Sequence, residues 1–240
     1  GGGWYNAAIG TVPSDGSNFS SPLIRNCVFI NNFAGLGGAF FNYAAEGGEA
    51  TAQFVNCQFR GNTAFRGGVI MNYAFDNGRA YANFINSILS GNGLLFDNGS
   101  GAAIRNEIDG GEDCAVNLTN SAICGNLGLE GDPEVQAAVW NNNTVNIYNS
   151  IFWNNTASIY NDEGGTDIFY SIMQDDGFDD ANTSDIIGNK DVDPLFIDAP
   201  PAGIFTHGDY HVLLTSPAIN MGDDGYNMED LDLDQAPRIQ

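Results

Sequence analysis

The chain has 240 residues, 30 of them acidic and 7 basic, for a formal net charge of −23. That balance excludes a nucleic-acid ligand, whose phosphates need clustered Lys and Arg, and it would be repelled by anionic bilayers. No apolar run reaches the roughly 18 residues of a membrane-spanning helix, so no direct membrane insertion by this segment is expected.

The first six residues already carry half of a repeat, Gly-Gly-x-apolar-x-Asn. It returns at residues 37–42 and 67–72 and decays at 101–106, 136–141 and 156–161. A first segment, Phe-x-x-Asn, stands at 29–32, 59–62 and 152–155. Leu89 and Ile123 lead the same motif at 89–92 and 123–126. Its asparagines, Asn32, Asn62, Asn92, Asn126 and Asn155, lie 30, 30, 34 and 29 positions apart by subtraction of those numbers. A fixed period of this length is the mark of stacked structural repeats, each resting on its neighbours.

Within a repeat the residues alternate with period two, as in half-buried strands. One column reads Cys27, Cys57, Ser87, Ser121, Ser150 and Ser171; two places on stand Phe29, Phe59, Leu89, Ile123, Phe152 and Met173. Between them, expected to face outward, run Val28, Gln58, Ile88, Ala122, Ile151 and Ile172. The Gly-Gly segment gives a third apolar column, Trp4, Phe40, Ile70, Ile104, Val139 and Ile159. No stretch shows capped helical periodicity. Short strands, Gly and Asn turns and a repeat of about 30 residues predict an all-β parallel β-helix. Asn32, Asn62, Asn92, Asn126 and Asn155 are expected to form a ladder, since identical amides one rung apart, about 4.8 Å, can hydrogen-bond along the axis.

Further along, residues 11–21 read as a polar loop. Polar insertions are expected at 46–51, 76–80, 106–113 and 130–134, all after the Gly-Gly segment and so along one side. Residues 1–173 are assigned to repeat rungs. Residues 174–240 are assigned to an acidic linker followed, from Lys190, by atypical last rungs and a cap of the same solenoid. Because the chain starts in mid-repeat, it is expected to be a piece of a longer protein, with further rungs of that chain as neighbours. Cys27 and Cys57 fall within disulfide range on adjacent rungs, but packing alone accounts for small residues there, so free buried thiols are expected. Cys114 and Cys124 are not expected to pair.

The motifs Gly37-Gly38-Ala39-Phe40 and Phe29-Ile30-Asn31-Asn32 resemble the repeats of polymorphic outer-membrane proteins and, more widely, of right-handed parallel β-helix surface and secreted proteins of bacteria. Asp193-Pro194-Leu195-Phe196, Asp209-Tyr210-His211-Val212-Leu213 and Ser216-Pro217-Ala218-Ile219-Asn220 resemble the closing segment of secreted β-helix proteins. The resemblance implies a right-handed β-helix in an extracellular or cell-surface setting. It does not fix an activity.

β-Helices of this kind often carry polysaccharide lyases or hydrolases. Such an enzyme would need paired carboxylates on adjacent rungs, or a base beside acids or calcium. The aligned strand columns hold no Asp or Glu between Arg25 and Met173, which weighs against catalysis. A binding surface is better marked. Tyr5, Phe41, Met71, Arg105, Trp140 and Tyr160 each precede the Asn of the second segment, and alternation sends them outward, where they would stack on sugar rings or a partner unless neighbouring loops cover them. Calcium is the one cofactor considered. Its candidate ligands are Asp191, Asp193, Asp223, Asp224, Asp230, Asp232 and Asp234, with a further acidic run at 175–180; solvated acidic turns explain the same pattern. The function expected is a non-catalytic secreted or cell-surface β-helix acting as a rigid stalk or adhesin toward a glycan or surface protein. The alternative is a polysaccharide-active enzyme or carbohydrate-binding module.

Overall fold

The computed structural model describes residues 3–10, 18–95, 99–174, 183–226, 229–234 and 236. The parallel β-solenoid is present. The first sheet stacks Trp4–Ile9, Phe40–Ala45, Ile70–Phe75, Ile104–Asp109, Ala137–Asn141 and Ala157–Asn161, every neighbouring pair parallel. The second sheet runs through Glu49–Val55, Arg79–Ile85, Asp113–Thr119, Thr144–Tyr148, Gly165–Phe169 and Thr183–Ile187, with Phe19–Ser20 and Leu23–Arg25 at its start. The third holds Val28–Ile30, Gln58–Arg60, Ile88–Ser90, Ala122–Cys124, Ile151–Trp153 and Ile172–Met173. A short fourth holds Phe33–Leu36, Thr63–Arg66 and Gly93–Leu94.

Corners between sheets are made by residues in the left-handed region. Asn26, Asn56, Asn86, Asn120 and Asn149 have φ between 50° and 54° where the second sheet turns into the third. Asparagine tolerates that conformation because its short amide bonds locally, which is why it recurs at the corner. The following residue opens the inward column. Ser87, Ser121, Ser150 and Ser171 do more there than fill space: each hydroxyl accepts from the backbone N–H one rung earlier, at 3.0–3.2 Å, from Cys57, Ser87, Ser121 and Ser150.

The interior is a stack of Phe40, Phe54, Phe59, Phe84, Leu89, Ile104, Leu118, Ile123 and Phe152, all fully buried. Phe29 and Phe59 stack at 4.8 Å and Phe54 and Phe84 at 4.8 Å, one ring per rung. Two asparagine ladders run beside this core. In the first, the side-chain amides of Asn32, Asn62, Asn92 and Asn126 donate in turn to Asn62, Asn92, Asn126 and Asn155 at 2.8–3.0 Å. Each acceptor oxygen also takes the backbone N–H of the preceding Asn. The second joins Asn6, Asn42, Asn72, Asn106, Asn141 and Asn161 at 2.7–2.9 Å. Among the described residues all four cysteines are free, as packing led us to expect.

Three expectations need correction. The polar insertions at 46–48, 76–78 and 110–112 do share one corner of the solenoid, but as tight turns rather than projecting loops, and 130–134 departs from that line. The turns join strands of the first and second sheets, and 130–134 precedes its strand, ending in the short helix Pro133–Gln136. The aligned columns hold no acid, but the strands extend beyond them, and Glu49, Glu107, Asp109, Asp113 and Asp167 all lie on strands, so the columns alone understate the acids available there. Beyond Lys190, which bridges Ile172, the described residues do not stack as further rungs. They fold back along the third sheet as a strap, its antiparallel pair Phe196–Asp198 and Asp209–Val212 lying over that face. Phe196, Tyr210 and Val212 of the strap line a cavity with Ile88, Ala122 and Ile151 of the outward column.

Candidate functional site

Register makes the column of Tyr5, Phe41, Met71, Arg105, Trp140 and Tyr160 continuous, one residue per rung. Burial divides it. Tyr5 is 56% exposed, Phe41 and Tyr160 are half-buried, but Met71, Arg105 and Trp140 are only 2%, 7% and 3% exposed. The guanidinium of Arg105 lies 3.7 Å over the Trp140 ring, donates to Glu107 at 2.7 Å and bonds Ser100. The helix Pro133–Gln136 packs against the strands carrying Trp140 and Tyr160. The expected six-residue outward stripe is therefore interrupted. The covering segments enter before the strands, not after the Asn, and turn the middle of the column into a second small core.

What stays accessible is a run of aromatics that crosses the sheet obliquely. Tyr5 meets Phe41 at 5.4 Å, Phe41 meets Tyr43 at 5.8 Å, Tyr43 meets Tyr73 at 5.7 Å, and Tyr73 meets Phe75 at 6.1 Å, all tilted by 33–39°. Tyr43 and Tyr73 are half-buried and Phe75 is 40% exposed. These side chains share the outer face because Phe41, Tyr43, Tyr73 and Phe75 sit at alternate positions of neighbouring strands, while Asn42, Ala44, Asn72 and Ala74 between them point inward and are buried. Tyr43, Tyr73 and Phe75 were absent from the sequence-derived set. The signal that finds them is period two along one strand, applied beyond the motif itself.

Acids border this face. Glu46 and Asp76 are exposed at the strand ends, and Asp109 is the register partner of Phe75. The Tyr73 hydroxyl donates to Asp109 at 3.4 Å. Partial burial and then the nearby Asp109 and Glu107 carboxylates push the Tyr73 phenol up to about 12, and burial followed by Tyr5, Glu46 and Asp76 raises Tyr43. Both phenols remain neutral hydrogen-bonding groups at physiological pH.

The strap encloses a second concavity, about 530 Å³, against the third sheet, lined by Gln58, Arg60, Asn120, Tyr210, His211 and Asp234 among others. His211 bonds Asp209 through Nδ1 and Asp234 through Nε2, tying two passes of the strap together. Those hydrogen bonds raise its pKa to about 8.

The proposed calcium ligands do not converge. Among the described residues no three His, Cys, Asp or Glu side chains are grouped to hold a metal ion. Asp191 and Asp193 follow the last bridge, Asp223 and Asp224 lie beside Asn149, and Asp230, Asp232 and Asp234 reach back toward the first rungs. Several carboxylates are already engaged in turns: Asp193 accepts from Leu195 N, Asp223 from Gly225 N, and Asp232 from Asp234 N and Ala236 N. The acidic run at 175–180 lies outside the described residues. No family model, curated protein or solved structure matches this chain.

Proposed function

We propose that this chain is a non-catalytic β-helix module of a secreted or cell-surface protein, a stiff rod that binds glycan on the aromatic face of its first sheet. The observation that carries this is the oblique run Tyr5, Phe41, Tyr43, Tyr73 and Phe75, five rings in sequence contact on one outer face. Spacings of about 4.8 Å between strands and 3.3 Å along them make the run roughly 16 Å long, the footprint of a short oligosaccharide. Aromatic rings stack on the C–H faces of sugars, and the bordering carboxylates accept hydroxyl hydrogen bonds. A protein segment docking by strand addition would need a free sheet edge. Phe41, Tyr43, Tyr73 and Phe75 stand on inner strands hydrogen-bonded on both sides, and only Tyr5 lies on the edge strand Trp4–Ile9. Stiffness comes from register held along every sheet and from the paired Asn ladders.

An unbiased glycan-binding screen, repeated with Tyr43→Ala/Tyr73→Ala, tests the proposal. Binding that the double variant loses, at unchanged circular dichroism, supports it; an array on which nothing binds overturns it. A catalytic reading rests on one feature, His211 held between Asp209 and Asp234 in the strap cleft. Release of reducing or unsaturated ends from an acidic polysaccharide, abolished by His211→Ala, would favour it.

A further inference from the structure

We propose that the glycan taken by the first-sheet face is cationic, an amino-sugar polymer with free amines; this rests on the glycan reading of the same face. The charge around the rings points that way. Glu46, Asp76 and Asp109 are exposed, and among the described residues none of them forms an ion pair. They also stand in order. Glu46 and Asp76 occupy the same turn position on successive rungs, one strand spacing apart, and Asp109 follows on the next rung beside Phe75. Basic side chains near this sheet are committed elsewhere: Arg105 and Arg66 to Glu107, and Arg79 to Glu112. The face therefore presents rings flanked by a row of uncompensated carboxylates.

A neutral sugar would gain only stacking and hydroxyl bonds here and would leave the row of negative charge unanswered. An acidic sugar would be repelled. A sugar bearing an ammonium group answers both features, because its ring stacks while its cation meets a carboxylate or the negative face of a neighbouring tyrosine or phenylalanine. The repeat favours a polymer over a single unit. Carboxylates come on three successive rungs, at Glu46, Asp76 and Asp109, so successive amines along one strand of ligand find successive partners.

The test compares hexamers of glucosamine with hexamers of N-acetylglucosamine in mildly acidic buffer, using calorimetry on the whole chain. Three proteins are compared: the natural chain, the ring variant Tyr43→Ala/Tyr73→Ala, and the charge variant Glu46→Gln/Asp76→Asn/Asp109→Asn. All of these substitutions are on exposed or half-buried side chains, and melting curves check the fold. Tighter binding of the free-amine hexamer, weakened about tenfold by the charge variant and also by added salt, supports the proposal. Equal affinity for the two hexamers, or indifference to the charge variant, overturns it while leaving a glycan-binding face. Absence of binding to any glycan overturns both. Polylysine that binds tightly and needs the carboxylates but not the rings would mark the face as a site for basic protein, and would overturn the amino-sugar assignment.

Discussion

Asn149 and Asp223 exchange two hydrogen bonds across 74 residues of sequence. The Asn149 side-chain amide donates to the Asp223 carbonyl at 2.9 Å, and the Asp223 N–H donates to the Asn149 side-chain oxygen at 2.9 Å. Asn149 thus turns a solenoid corner with its backbone while its side chain docks the strap. Asn86 does the same for Leu231 at 3.0 Å and Asn120 for Tyr226 at 3.5 Å. On the opposite corner Gly125 accepts from Gly203 and Gly91 from Phe205. A side chain at Gly91, whose φ is 59°, would run into the Thr206 carbonyl, so this position takes glycine.

Replacing Asn149 by Ala should detach that part of the strap. Three side-chain hydrogen bonds disappear, two with Asp223 and one to Asn120 at 3.2 Å, and Asp223 N–H is left to water, for a loss of about 1–3 kcal/mol. Amide exchange is the measurement. Faster exchange confined to residues 218–226 is expected, and uniform acceleration through the solenoid would contradict the assignment.

The first Asn ladder should weaken in a position-dependent way. Asn92 is fully buried; its side-chain oxygen takes two N–H groups from Asn62 and its amide serves Asn126 and the Phe59 carbonyl. Asn92→Ala leaves several of these buried groups unpaired and should cost about 3 kcal/mol or more in urea unfolding. Asn32→Ala, at a half-buried edge of the same ladder, should cost under half as much. Equal losses would mean that burial is not what gives the ladder its strength.

Docking of the strap should weaken as pH rises. His211 has an ordinary value of 6.5 and a folded value of about 8, raised by its hydrogen bonds to Asp209 and Asp234. A raised value means its contribution is complete below about pH 6.5 and lost as pH climbs through 8. Asp232 and Arg60 line the same cleft and complete its charge environment. Because the ring is exposed, screening keeps the effect small and local. Exchange at residues 209–212 should speed up between pH 6.5 and 8.5 beyond the intrinsic base-catalysed rise (on the scale set by the His211 shift), and His211→Ala should remove that excess.

The thiols should react in a fixed order. Cys114 and Cys124 are fully desolvated, which raises both thiols, and burial raises Cys57 as well. Cys27 is half-buried at the first rung. A maleimide added to native protein should label Cys27 first and the other three only on unfolding. Rapid native labelling of Cys114 would mean that the turn over it opens.

The sequence by itself determined the solenoid. Its 30-residue period, alternating columns and recurrent Asn depend only on contacts between adjacent rungs, so each position repeats its environment and leaves a legible mark. Asn62 and Asn92 could be placed face to face without coordinates for that reason. Tertiary structure decided everything that breaks the repetition. Trp140 and Tyr5 occupy the same register position, yet Ser100, Arg105 and the helix Pro133–Gln136 bury one and leave the other open. The strap joins residues as distant as Arg25 and Glu229, a single non-repeating arrangement with no period to betray it. Tyr43, Tyr73 and Phe75 became a surface through the same asymmetry: no segment among the described residues folds over them, and nothing in their own strands says so.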